Sequence, residues 1–311
     1  MNLYDSFNQI DAQTAEEMAR QAGLNFTVSK KPNHYYDSNG NAVVTPDKVS
    51  IVRDDNDEYL GTVGVEKGVV QFEKVLGFTE ILVTKGEAAY VSGMALGGCR
   101  KAVVVMKTPD KILLGPNDEV ECYFYISTSH DSSESLNVTP APLRTFNGTI
   151  LTLPEGFGKF RFRHTKHVAN RLDKERMSIT KVKDYWEHAQ KSFNLMSMVQ
   201  LTPSRLDEYW KLILPNDSVR SENIRDRMDT IFKTHPAYQF PATKNTLLGA
   251  YLAVIEFVDN EMGVRVTGKK NTNEEDAKMN SLIDGMAAKR KSEAFAGALR
   301  LQAMFGSGPT I

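Results

Sequence analysis

A short strand of alternating basic and aromatic residues is the first place where residue type and spacing indicate chemistry. Lys159, Arg161 and Arg163 alternate with Phe160 and Phe162. Because side chains alternate between the two faces of a strand, the three cations share one face and the phenylalanines point to the core. A basic stripe on a sheet can follow a phosphate backbone without reading base sequence. The pattern predicts a nucleic-acid contact; the competing interpretation is an ordinary solvated strand face.

Other residues could extend this contact. Either Tyr123 or Tyr125 could stack on bases, depending on which face of their strand is exposed. Further phosphate contacts are predicted for Lys166, which continues the positive stretch, and for three secondary candidates, Arg100, Lys101 and Arg144.

A histidine beside an aspartate marks a second candidate site at a strand tip. His130 and Asp131, joined in space by His164 or His167, could bind a divalent metal or form an acid–base pair. No spacing typical of a metalloenzyme supports the metal reading. The competing interpretation is a turn in which Asp131 caps backbone amides, and it is the favoured one.

Two further motifs have simpler explanations. The glycines Gly97 and Gly98 precede a basic pair, but the flanking segments alternate like strands, so a tight hairpin turn is predicted and a phosphate loop is not. The basic triplet 289–291 lies in an alanine-rich helical segment. It could dock on nucleic acid or on a second subunit, or it could be a solvated helix face.

The elements that must position these residues fall into three predicted regions. Residues 1–47 predict a helix, capped by Thr14 and Glu17, followed by a polar linker or flap. Residues 48–165 predict an antiparallel sheet built as a hairpin, one crossing helix over 68–85 and a meander. Residues 166–311 predict helices interrupted by prolines, a flexible loop near 263–276 and one final helix over 274–305. The predicted fold class is α+β.

Composition limits the function classes. The formal net charge is −1, so the chain as a whole is not basic and any nucleic-acid binding must come from a local patch. The two cysteines, Cys99 and Cys122, are too few for a disulfide framework and are expected to be reduced. No segment predicts a secretion signal or a membrane span, and we expect a cytoplasmic protein that needs no cofactor.

Several short motifs occur in a fixed order along the chain. They are Leu60-Gly61-Thr62-Val63-Gly64, residues 96–101, Asp118-Glu119-Val120, Ser129-His130-Asp131-Ser132, Pro142-Leu143-Arg144, Arg163-His164-Thr165, residues 245–251 and Glu256-Phe257-Val258-Asp259. Their order resembles a phage- and plasmid-like family that is known only as a domain of unknown function. Two departures stand out: residues 146–150 replace the family's Cys-Gln-Asn-Thr-Leu, and an aromatic residue and an asparagine before the first helix are replaced around residues 65–71.

The resemblance implies a mobile-element protein concerned with DNA, and the hairpin–helix–sheet order is also similar, at fold level, to phage single-strand annealing proteins. The leading hypothesis is a non-enzymatic protein that binds single-stranded DNA as a homo-oligomer and assists recombination, annealing or replication. One alternative is a metal-dependent hydrolase or nuclease that uses His130, Asp131, His164 and His167. The other alternative is an assembly or host-interaction module that does not bind nucleic acid.

Overall fold

A computed structural model describes residues 10–152, 160–162, 180–264, 266 and 274–305. Antiparallel strands fill the first half of the chain and helices fill the second, so the predicted α+β class is confirmed. The first helix, α1 (Ala15–Gln21), begins as predicted, because the Thr14 side chain accepts a hydrogen bond from the Glu17 backbone N–H (3.2 Å). Gly23 follows the helix in the left-handed region (φ 67°).

A three-stranded antiparallel sheet comes next, in the order β1 (Val28–Tyr36), β2 (Ala42–Arg53) and β3 (Tyr59–Gly64). Residues 30–41 were expected to form an exposed linker or flap; they form the β1–β2 hairpin, so the linker alternative was wrong. Asp37 closes its turn by accepting hydrogen bonds from the backbone N–H groups of Asn39 (2.9 Å) and Asn41 (2.8 Å). Most side chains of this hairpin are exposed on both faces, so it lacks the apolar alternation that marks a strand in sequence.

The predicted crossing helix is α2 (Phe72–Thr84), and it leads into a second, six-stranded sheet. The neighbours in this antiparallel sheet run β4-β5-β6-β7-β9, and β8 pairs with β6. These strands are β4 (Ala89–Leu96), β5 (Lys101–Gly115), β6 (Asp118–Ser129), β7 (Leu136–Pro140), β8 (Leu143–Arg144) and β9 (Phe160–Phe162).

The second half of the chain is helical. Its helices in the described residues are α3 (Thr180–Met198), α4 (Pro203–Ile213), α5 (Val219–Thr234), α6 (Leu247–Glu256), α7 (Glu274–Asp284) and α8 (Met286–Phe305). A single π-helical turn, Phe257–Glu261, extends the fully buried helix α6. The predicted final helix is divided at Gly285 into α7 and α8.

Two main cores hold the fold together. One face of the larger sheet packs against α1 and α2 through residues such as Met106 and Phe124. The helices form their own core around α6, and it reaches the far end of β5 and β6 at Ile112 and Val120. The long central hairpin β5–β6 therefore belongs to both cores and joins the two halves. None of the helices in the described part of the chain is long and apolar enough to span a membrane.

Candidate functional site

A cleft of about 1310 Å³ opens between the two halves of the molecule. One wall is the β4–β5 turn together with the loop that follows β6. The opposite wall is the start of α5, the segment after the π-helical turn and the junction of α7 with α8. The cationic residues that line it are Arg100, Lys101, Arg220 and Arg290, and the acidic ones are Asp131, Glu134 and Glu261.

The β4–β5 turn sets the position of Arg100. Leu96 and Lys101 pair across the hairpin, and Gly97 (φ 61°), Gly98 (φ 66°) and Cys99 (φ 60°) between them are all left-handed. Glycine adopts this conformation at little cost, whereas Cys99 adopts it at a cost that the surrounding structure must offset. The tight turn predicted from the two glycines is confirmed, and it places Arg100 on the cleft wall.

Lys101 has a structural partner within the cleft. Its Nζ lies 2.5 Å from Glu134 Oε2 and donates to Asn280 Oδ1 of α7 (3.1 Å). Glu134 Oε1 also accepts from Ser127 Oγ (2.5 Å) and from Asn137 Nδ2 (3.0 Å). This network fixes Lys101 between the sheet and the helices, so its charge is already balanced.

The other cleft cations are not balanced in this way. None of Arg100, Arg220 and Arg290 forms an ion pair with a carboxylate whose side chain the structure describes. Arg100 and Arg290 are half-buried, and Arg220 is exposed. Burial lowers the pKa of Arg290; Glu293 opposes this shift and the positive charge of Arg220 adds to it. Arg290 Nη1 contacts Met262 Sδ at 4.0 Å.

Two of the three carboxylates that line the cleft are already paired with cations. Glu261 is held by Arg227 through two hydrogen bonds of 2.7 and 2.6 Å, and Glu134 is held by Lys101. The carboxylate of Asp131 accepts from the Ser133 backbone N–H (2.9 Å), and no described lysine or arginine forms an ion pair with it. The described lining therefore presents three arginines against one carboxylate without a cationic partner, which is a favourable environment for an anion.

His130 and Asp131, at the tip after β6, both pack closely against neighbouring elements. The His130 ring is 2% exposed and stacks on Phe72 with ring centroids 3.9 Å apart. Asp131 packs so closely against β3 that a Cβ added at Gly61 would lie 2.6 Å from the Asp131 Cβ. Among the described residues, no group of three or more His, Cys, Asp or Glu side chains is arranged to hold a metal ion. The remaining members of the predicted metal set, His164 and His167, lie outside the described residues.

Only part of the predicted basic strand can be placed. Arg161 is exposed on the edge strand β9, and its Nε donates to Ser135 Oγ (3.2 Å). Because Ser135 directly follows Glu134 of the cleft wall, Arg161 lies next to the cleft but is not part of its lining. Lys159, Arg163 and Lys166 lie outside the described residues.

Two other predicted contacts are placed away from the cleft surface. Arg144 is fully buried; its Nε donates to both carboxylate oxygens of Asp118 (2.8 and 3.1 Å), and its Nη2 donates to the Ala237 carbonyl (2.7 Å). Tyr123 is buried and its hydroxyl donates to Glu121 (2.6 Å), whereas Tyr125 is half-buried. Both Arg144 and Tyr123 are therefore buried and hydrogen-bonded within the protein.

A group of buried charges near Arg144 was not expected from the sequence, although it includes Lys291 of the basic triplet 289–291. Lys291 is 2% exposed and forms an ion pair with Asp259 in the π-helical turn. Its Nζ also donates to the Ile150 carbonyl (2.8 Å). Glu256 accepts from Asn147 Nδ2 (2.6 Å). Glu256 and Asp259 follow an apolar helical stretch, and this pattern could have indicated buried acids. No sequence pattern indicated that Lys291 is their neighbour.

Fold and cleft together define an α+β protein with an arginine-lined cleft between a sheet-based half and a helical half. The chain belongs to the family described as Domain of unknown function (DUF932), whose model matches residues 59–282, more than half of the chain. The resemblance to a family known only as a domain of unknown function is therefore confirmed. No curated protein and no solved structure matches the chain.

Proposed function

We propose that this protein binds single-stranded DNA in the cleft between its two halves. The observation that carries the proposal is the convergence of Arg100, Arg220 and Arg290 on one open cavity. Neutralisation of backbone phosphates by such side chains supplies most of the affinity in sequence-independent binding. The planar guanidinium group also matches phosphate oxygens well, because it can donate two parallel hydrogen bonds.

The size and lining of the cleft favour a polymer over a small ligand. Its volume of about 1310 Å³ exceeds the usual range for small-molecule pockets, about 300–1,000 Å³. Apolar side chains of Leu214, Ile224 and Met262 lie among the cations, and they offer contact to base faces without sequence selectivity. Arg161 next to the cleft would extend the phosphate track outwards along β9.

The biological setting is part of the same proposal and rests on the family resemblance. The protein would act as an oligomeric accessory factor in recombination, annealing or replication of phage or plasmid DNA. Support for self-association comes from the β1–β2 hairpin, which exposes Tyr35 (54%), Tyr36 (76%) and Val44 (53%). The hydrolase alternative gains no support, because His130 is buried against Phe72.

A salt titration tests the proposal. Fluorescence anisotropy of a labelled 20-nucleotide single strand should show an affinity that falls steeply with salt, with a log–log slope of about −2 to −3 if three or four phosphates are contacted. The double variant Arg100→Gln/Arg290→Gln should bind with a smaller slope. Lys289→Gln, which removes an exposed charge on the same helix as Arg290 but outside the cleft, is the matched control. Absence of binding at low salt would overturn the proposal.

A further inference from the structure

Two of the cleft arginines form a distinct pair on the helical wall. Arg220 lies in the first turn of α5, and Arg290 lies in α8. Asn216, Ser218 and Ser221 also line this part of the cleft. Arg100 stands on the opposite, sheet-based wall. The helical wall therefore presents two arginines and several small polar side chains to the same cleft.

The carboxylates around Arg220 and Arg290 compensate their positive charge only in part, because no described carboxylate forms an ion pair with either side chain. Arg290 is half-buried, and Arg220, which lines the same cleft, adds a like charge that acts against it. Glu293, on the same helix, attracts Arg290, but it is exposed to solvent and also lies 3.8 Å from Lys289. Glu261, across the cleft lining, is engaged by Arg227. Two like charges that share a partly desolvated site raise each other's free energy, and a bound anion relieves this repulsion.

We propose that Arg220 and Arg290 form a clamp for a phosphomonoester, in the first instance the terminal phosphate of a DNA strand. This inference rests on the proposed function and names the chemical group that the cleft selects. A terminal phosphate carries about −1.5 to −2 charges near neutral pH and presents three acceptor oxygens. An internal phosphodiester carries a single charge and can balance only one of the two guanidinium groups. The start of α5 adds its positive dipole end to the same site.

Terminal phosphates and free nucleotides share this chemistry, and binding measurements can separate them. Anisotropy competition would compare a 12-nucleotide single strand with a 5′-phosphate, the same strand with a 3′-phosphate and the unphosphorylated strand. Deoxyadenosine 5′-monophosphate and deoxyadenosine would be tested as competitors in parallel. We expect one phosphorylated strand to bind about tenfold more tightly than the unphosphorylated one, as expected for an added charge-assisted contact.

Matched variants assign the preference to the pair. Arg220→Gln and Arg290→Gln should each abolish the preference for the phosphorylated strand. Lys289→Gln should keep it. Arg290→Lys should keep part of it, because lysine retains the charge without the two-pronged donor geometry. Thermal unfolding followed by circular dichroism checks that each variant is folded.

The outcomes separate the two proposals. Equal affinity of wild-type protein for phosphorylated and unphosphorylated strands would overturn the clamp and leave single-strand binding intact. A phosphate preference that survives in both Arg220→Gln and Arg290→Gln would also overturn the clamp. Failure to bind any DNA, combined with Arg290-dependent binding of the mononucleotide, would overturn the proposed function and place a free nucleotide in the clamp. Failure to bind either ligand would overturn both.

Discussion

Two groups of charged residues lie between the sheet-based half and the helical half, and they differ in almost every physical respect. The first, here called the ionic centre, consists of Arg144 with Asp118, and of Lys291 with Asp259 and the neighbouring Glu256. These side chains are buried or nearly so, and each has its partner within hydrogen-bonding distance. Burial without a partner would cost several kcal/mol, so pairing is obligatory there.

The second group is the arginine cleft formed by Arg100, Arg220 and Arg290. Its guanidinium groups are half-buried or exposed, and the described carboxylates leave them without ion pairs. Water can solvate them when the cleft is empty, so their charge remains available for a ligand. An arginine that stands out in the sequence therefore indicates a binding site only when its burial and its partners are known.

The largest effect should come from breaking the ionic centre. Replacement Lys291→Ala leaves Asp259 buried without its cation and removes the hydrogen bond to the Ile150 carbonyl. We expect a loss of about 3–5 kcal/mol in the free energy of unfolding, the usual cost of removing one partner of a buried ion pair. Urea denaturation followed by circular dichroism measures this change.

A double replacement is the matched control. Lys291→Met/Asp259→Leu removes both charges and keeps much of the apolar volume, so it should recover most of the lost stability. If Lys291→Ala costs less than about 1 kcal/mol, the centre is more hydrated than the burial of these side chains indicates.

A smaller loss is expected where the sheet-based wall of the cleft is supported. A Cβ at position 61 would lie 2.6 Å from the Asp131 Cβ, so Gly61→Ala must displace the loop after β6. Overpacking of this kind typically costs about 1–3 kcal/mol. The same urea titration measures it, with Gly77→Ala as control, because a Cβ at Gly77 meets nothing within 4 Å. Equal stability of wild type and Gly61→Ala would show that the loop adapts freely.

Features that depend on residues close together in the sequence could be predicted, whereas features that depend on tertiary packing could not. The turn at Gly97 and Gly98, the cap at Thr14 and the helix over residues 72–84 depend on neighbouring residues, and all were predictable. The β1–β2 hairpin was missed because most of its side chains are exposed on both faces, so apolar and polar residues do not alternate along it. Local patterns fail where a strand has no buried face.

The cleft could not be predicted as a unit, since Arg100 is separated from Arg220 and Arg290 by more than a hundred residues. Arg144 and Arg100 have the same side chain, and both lie within motifs that match the family. Arg144 is nevertheless buried against Asp118, whereas Arg100 lines the cleft. The difference arises from tertiary packing of the helical half, which supplies the Ala237 carbonyl to Arg144.

The cleft cations should contribute to DNA binding but not to the stability of the fold. Arg100→Gln should lower the affinity for single-stranded DNA by about three- to tenfold at low salt and reduce the salt slope by about one, because one phosphate contact is lost. The midpoint of urea unfolding should stay close to that of the wild type. A large loss of stability in Arg100→Gln would remove the distinction between the cleft and the ionic centre.

The smallest effect is expected at Arg161, next to the cleft. Arg161 is exposed on the edge strand β9, and its described hydrogen-bond partner is the Ser135 hydroxyl, so neither folding nor the cleft wall depends on it. Arg161→Ala should weaken binding by about twofold for a strand of 20 nucleotides, because an exposed phosphate contact is strongly screened by salt. A single-stranded DNA too short to extend beyond the cleft should bind to the wild type and to the variant with equal affinity. If the variant weakens binding of short and long strands alike, Arg161 contacts the ligand inside the cleft and the phosphate track begins deeper than proposed.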